Sequence, residues 1–191
     1  MSNSSNLKYY NRNLAFVDCE TTGLKIDRHE IIEIAAIVYD RKQDKVLEEY
    51  EDKVAPRRIH TAQAKALEIN GYTNNHGLYT GNIQSTLIKF NNIVKDCIIV
   101  GQNIFFDLQF IESAMAEFNF TPAWDLTKRI DLMAMAWPYV QDIDLPGLGL
   151  RNFCDHFNLS NEGQHTALVD CRRSLSVYRC LMDKYKNGIK R

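Results

Sequence analysis

The chain has 191 residues, 45% of them hydrophobic, which suits one domain with a substantial core rather than two. Its net charge of −1 excludes a protein that coats long nucleic acid through a basic excess, but not an enzyme that grips a few terminal nucleotides. Five cysteines, odd in number and without C-x-x-C spacing, argue against a disulfide framework and a zinc site, and reduced thiols suit a cytoplasmic compartment.

The opening residues, MSNSSNLKYYNRN, are polar and lack the apolar stretch of a signal peptide. No apolar run approaches ~20 residues, so no membrane span is expected. Leu14 to Asp18 (LAFVD) predicts a short, fully buried strand. Ile31 to Tyr39 predicts a longer one, and Lys45 to Val54 a third with a more solvated face. Turn residues fit between them, Thr21-Thr22-Gly23 first and Asp40 to Asp44 second, which suggests an antiparallel meander. Thr61 to Ile69 is a short candidate helix, and 70–82, rich in Gly, Asn and Thr, reads as a loop.

From Ile83 to Val94 the apolar residues Ile83, Leu87, Phe90 and Val94 recur at helical spacing. Cys97 to Val100 predicts another buried strand, and Leu108 to Phe118 a helix with Ile111, Ala114 and Phe118 along one stripe. A strand is expected to end near Asp131, followed by a short helix to Trp137, a loop over 138–147 and a helix over Leu148 to Phe157. The last helix starts near Thr166, with Leu168, Cys171, Leu175, Tyr178 and Met182 as its apolar stripe, and the basic tail KYKNGIKR is expected to fray. Three strands and then alternating α and β predict an α/β fold, a mixed five-stranded sheet flanked by helices.

Three groups of residues point to chemistry. Asp18 and Glu20 stand at i and i+2 of a strand and so share a face, while Cys19 points the other way. Two neighbouring carboxylates repel each other, more so when partly buried, and a divalent cation between them relieves this. The competing reading is a solvated turn with two stray acids. Asp107 begins the helix after Cys97 to Val100, where it is either a functional acid or an N-cap. His165 and Asp170 are ~500° apart on a helix and cannot share a face, so His165 belongs to the preceding loop. Thr166 then caps the helix, and Asp170 lies on its second turn. Taken singly, the last pair reads as surface. Together, four acids and a histidine are the set that two-metal phosphodiester hydrolysis needs, with ions ~3.5–4 Å apart. All-oxygen ligands select Mg²⁺ or Mn²⁺. A histidine, with its ordinary pKa of ~6.5, can take a proton near neutral pH.

These segments resemble a known family. Phe16 to Leu24 (FVDCETTGL) is similar to the first motif of the DnaQ-like DEDDh exonucleases. Val100 to Ile111 (VGQNIFFDLQFI) resembles the second, and His165 to Asp170 (HTALVD) the third. Thr166 stands where the sister class carries Tyr, so the resemblance is to the histidine class. Weaker echoes are EIIEIAAIV, ALEINGYT and RIDLMAMA, and the likeness runs from about Leu14 to Met182.

The resemblance implies an RNase H-like fold and 3′→5′ removal of nucleotides, with single-stranded DNA the expected substrate. It implies a single exonuclease domain over 1–191. In it Asp18, Glu20, Asp107 and Asp170 hold two Mg²⁺ (or Mn²⁺) and His165 is the general base. The backbone at Thr22 and Gly23 and the Leu24 side chain would hold and wedge the 3′-terminal nucleotide, and Asn103 would touch the substrate strand. The expected partners are a nucleic acid 3′ end and a polymerase or other replication or repair protein, with no membrane. Asn70 departs from the family, in which many relatives carry His. A silent nucleic-acid-binding or scaffold subunit on the same fold, and an RNase H-like endonuclease, are the alternatives.

Elsewhere Asp131 is expected to be an N-cap, and Tyr178 and Trp137 core. Arg57-Arg58, Lys128-Arg129, Arg172-Arg173 and Asp155-His156 are expected at the surface.

Overall fold

The computed structural model describes residues 9–141, 143–161 and 165–188. In chain order the elements are β1 (Leu14–Thr21), β2 (Ile31–Asp40), β3 (Lys45–Lys53), α1 (Ala64–Ile69), α2 (Tyr72–Asn75) and α3 (Ile83–Ile93). They continue with β4 (Ile98–Gly101), α4 (Ile104–Glu117), β5 (Arg129–Asp131), α5 (Leu132–Val140), α6 (Leu150–His156) and α7 (Ala167–Lys186). The strands form one sheet in the order β3-β2-β1-β4-β5. The meander holds: β1–β2 and β2–β3 are antiparallel, whereas β4 and β5 join in parallel.

β1 and β2 are covered on both faces, which is why they read as continuous apolar runs. β3, charged and largely exposed, guards the edge. The period-two alternation of β1 divides the core. Ala15, Val17 and Cys19 pack with Leu87, Phe90, Leu108 and Ile111 of α3 and α4. Leu14 and Phe16 pack with Leu132, Phe153, Cys171, Leu175 and Tyr178 of α5 to α7. Phe16 meets the rings of Tyr39 and Tyr178 edge-on at centroid distances of 6.1 and 5.4 Å. Continuing the alternation, Asp18 and Glu20 emerge on the α7 side as the apolar part of the strand runs out.

Four expectations change. Residues 70–82 hold α2 and a 3₁₀ turn, His76–Leu78, rather than an uninterrupted loop. Pro138 lies inside α5, which ends only two residues later, so little of the ladder depends on its missing N–H. Trp137 is exposed rather than core, because the buried positions of α5 are Leu132 and Ala136 and Trp137 falls off their stripe. α4 starts at Ile104 rather than Leu108, so Asp107 lies inside it and the alternative reading of Asp107 as a cap falls away. The start of the tail is helical as far as Lys186, while 189–191 and the opening 1–8 lie outside the described residues. Among the described residues no helix is long and apolar enough to cross a membrane.

Candidate active site

The site forms where β1 ends against the start of α7. That start is pinned twice: Thr166 Oγ1 accepts from Val169 N at 3.4 Å, and Glu33 Oε1 of β2 accepts from Ala167 N at 2.7 Å. Thr166 is the expected cap. Asp170 follows in the first turn of α7, one turn earlier than the sequence suggested. Oxygens of Asp18, Glu20 and Asp170 all lie within 4.8 Å of one another. His165, in the loop before α7 and half exposed, places Nδ1 3.1 Å from Asp170 Oδ2.

Asp107 is not part of this three-acid group. It is buried, and its Oδ1 accepts from the backbone N–H of Cys19 at 2.9 Å, which seats it behind Asp18 from the α4 side. The cap position of α4 belongs to Asn103, exposed and in the left-handed conformation at φ 52, with no side-chain cap bond. Asp131 does that work: Oδ2 accepts from Ile104 N at 3.0 Å, while Oδ1 accepts from Met133 N at the start of α5.

The acids strain against one another. Burial pushes the Asp18 carboxyl well above its ordinary value, and the charges of Asp107 and Glu20 push it further. Burial, with Asp170 and Glu33 beside it, raises Glu20 to about 8. Burial also raises Asp107 to about 7, opposed by the Cys19 N–H. Two cations hold the periphery, Lys53 on Glu33 at 2.5 Å and Arg173 on Asp170 at 2.7 Å. The donor set of closely spaced, mutually repelling oxygens therefore fits a hard divalent cation.

Beside the acids, the turn after β1 is rigid. Thr22 N donates to Glu30 O at 2.8 Å, Glu30 N to Thr22 Oγ1 at 2.9 Å, and Gln63 N to Thr22 O at 2.8 Å. Asn70, buried, donates Nδ2 to Thr21 O at 3.2 Å, so the asparagine that departs from the family braces the turn. A Cβ on Gly23 would lie 2.6 Å from the His29 ring, so only glycine fits the close approach. Leu24 stands 73% exposed beyond it, an apolar side chain projecting next to a polar site.

Two residues bonded to the site's surroundings escaped the sequence reading. Arg173, expected at the surface with Arg172, is buried and bonds Asp170. Its spacing, three residues on and on the same helical face, was the available signal. Glu33 is fully buried, and a lone acid in the apolar run IIEIAAIV was its signal. Glu33→Ala should cost about 3 kcal/mol or more, because it leaves the Ala167 N–H unsatisfied and Lys53 unpaired. Urea unfolding with an unchanged slope checks this, and wild-type stability would show that the buried pair is neutral.

The remaining pairs stay peripheral. Arg57 bridges Glu117 and Glu30, Arg172 bonds Glu49, and Lys128 bonds Asp125. His156 is half-buried rather than surface, its Nε2 2.7 Å from Tyr139 Oη.

A mixed sheet whose first strand delivers two acids, with a third on the last helix, a fourth behind them and a histidine beside the third, is the arrangement expected of a DnaQ-like nuclease. The sequence profile of the RNase_T family, described as Exonuclease, matches residues 15–178, and the chain belongs to this family. It is 26% identical over 170 residues to the DNA polymerase III subunit epsilon of Treponema pallidum, covering 86% of this chain and 74% of that protein. To the PolC-type DNA polymerase III of Thermotoga maritima it is 28% identical over 170 residues, covering 89% of this chain and 12% of the polymerase. The fold matches E. coli exonuclease I in complex with a dT13 oligonucleotide with a TM-score of 0.76 at 19% identity, covering 91% of this chain and 41% of that one. The chain thus spans most of the epsilon subunit but only a small part of the polymerase and less than half of exonuclease I. The 3′→5′ exonuclease class implied by the motifs stands with these findings.

Proposed function

We propose that the chain, as one exonuclease domain with its core at about 14–182, removes nucleotides singly from the 3′ end of single-stranded DNA at a site loaded with two Mg²⁺ or Mn²⁺. The observation that carries this is the convergence of Asp18, Glu20 and Asp170 within 4.8 Å, with His165 on Asp170. Asp18, Glu20 and Asp170 would hold the ions, with Asp107 close behind. Bound there, the ions would supply positive charge against the negative charge developing on the phosphoryl oxygens.

The protein's own groups do the rest. Asp170 orients the His165 ring through Nδ1, and Nε2 would take the proton of the attacking water. The water oxygen bonds phosphorus, the P–O3′ bond breaks, and the terminal nucleotide leaves as a 5′-monophosphate. The braced turn at Thr22 and Gly23 presents its backbone to the last nucleotide, Leu24 wedges beneath its base, and Asn103 meets the strand. Likeness to the epsilon subunit supports a polymerase or another replication or repair protein as partner, in the cytoplasm. The oligonucleotide bound to exonuclease I supports DNA over RNA.

The test is a time course on 5′-labelled single-stranded DNA and its RNA counterpart, with Mn²⁺ and with EDTA. A DNA ladder shortening from the 3′ end and lost in EDTA is the expected result. Preferential RNA cleavage would overturn the substrate, and no cleavage of either would indicate a silent subunit.

A further inference from the structure

Asp170 has a carboxylate with two oxygens, and the structure uses them differently. Oδ1 receives Arg173 Nη1 at 2.7 Å, while Oδ2 faces His165 at 3.1 Å. The Arg173 side chain is only 8% exposed, and arginine is almost never so buried without a fixed task. It lies one turn after Asp170 on the same face of α7. The charges of Asp18 and Glu20 press on Asp170, and an aspartate in a first helical turn can swing away toward solvent to escape them. A charge-assisted bond from the guanidinium opposes that swing.

We infer that Arg173 is a positioning residue that locks Asp170 onto the acid cluster and leaves it one oxygen, Oδ2, to offer a metal ion. This rests on the proposed role of Asp170 as a ligand. A one-oxygen carboxylate suits the near-octahedral shell of a small ion, whereas Ca²⁺ accepts about six to eight oxygens in a flexible shell and can take a carboxylate by both. Arg173 therefore favours Mg²⁺ or Mn²⁺ over Ca²⁺, by geometry and independently of catalysis.

The experiment is calorimetric titration of Mn²⁺ and of Ca²⁺ into the full chain without nucleic acid, for the wild type, Arg173→Met, Arg173→Lys and Asp170→Asn. Arg173→Met is expected to weaken Mn²⁺ about 10- to 100-fold, the usual effect of losing a partner that orients a ligand. Ca²⁺ should weaken less, so the Mn²⁺-to-Ca²⁺ affinity ratio falls. Arg173→Lys, which keeps the charge but not the planar fork, should recover part of the Mn²⁺ affinity. Wild-type Mn²⁺ affinity in Arg173→Met, or equal weakening for both ions, overturns the inference. If Arg173→Met does not fold, as judged by circular dichroism, Arg173→Lys carries the test: a lowered ratio supports the inference and a wild-type ratio overturns it. Asp170→Asn separates the two readings. Unchanged Mn²⁺ binding in that variant, or no Mn²⁺ uptake by the wild type, would sink the ligand assignment itself, whereas loss there with wild-type behaviour in the Arg173 variants sinks only the positioning role.

Discussion

Asp18→Asn should destroy cleavage and, at about pH 8 without metal, make the protein more stable. Asp18 is held among Asp107, Glu20 and Asp170, and burial with their charges disfavours its ionised form. An amide of the same shape removes one of the repelling charges. It also removes the ligand that the proposed chemistry needs, and loss of one preorganised electrostatic group typically lowers the rate by about 10²–10³-fold. Glu20→Gln should behave alike. Its carboxyl is pushed up to about 8, and since each pKa unit corresponds to about 1.4 kcal/mol, relief of that penalty is worth a few kcal/mol. For a chain of this length that amounts to roughly 5–10 °C in Tm. Scanning calorimetry in EDTA and the labelled-oligonucleotide assay with Mn²⁺ read the two effects on the same samples. Activity within tenfold of wild type in either variant would break the site assignment. A lowered Tm would mean that the acids are not in conflict in the folded chain. The expected pairing of lost activity with gained stability marks residues kept for function at a cost to the fold.

The sequence carried the parts of this site that depend on local periodicity. Asp18 and Glu20 share a face because strands repeat every two residues, and His165 had to leave the helix because five residues overshoot a shared face. Parts that depend on tertiary contact were illegible. Read locally, Asp107 is either a functional acid or a helix cap, because nothing local reveals that its partner is the Cys19 N–H, 88 residues earlier. Asn103 stands in the left-handed conformation at the start of α4 without a cap bond, and Asp131, from the neighbouring strand, accepts from Ile104 N there. Asp131 was correctly read as a cap, but only its local bond to Met133 was visible. Arg173 was a different kind of miss. Its pairing with Asp170 follows from helical spacing, yet a double arginine usually means solvent, and only the packing of α7 beside β1 decides which of the two faces inward.

Without metal, stability should fall as pH rises from about 4 to about 8, and added Mn²⁺ should reverse that fall. The sign comes from which state holds the protons. Glu20 is raised from 4.5 to about 8, Asp107 from 3.8 to about 7, and Asp18 well above 3.8. Below about pH 4 these groups are protonated in both states, and their contribution to stability is fully present. As pH rises past the ordinary values, the unfolded chain releases protons that the folded chain keeps, which favours unfolding until Asp107 and Glu20 ionise near 7 and 8. Some surface groups act in the opposite direction. Arg172 holds Glu49 below its ordinary value, but such exposed pairs contribute little and act mainly at lower pH. The buried acids therefore set the slope. A divalent cation needs them ionised, so its affinity grows over the same window, and at about 100 times Kd it adds about 2.7 kcal/mol. The Mn²⁺-induced rise in Tm should be small near pH 5 and largest at pH 8 or above. Equal shifts at both ends would mean that the ion binds groups already ionised at pH 5, and so not the buried carboxylates of Asp18 and Glu20.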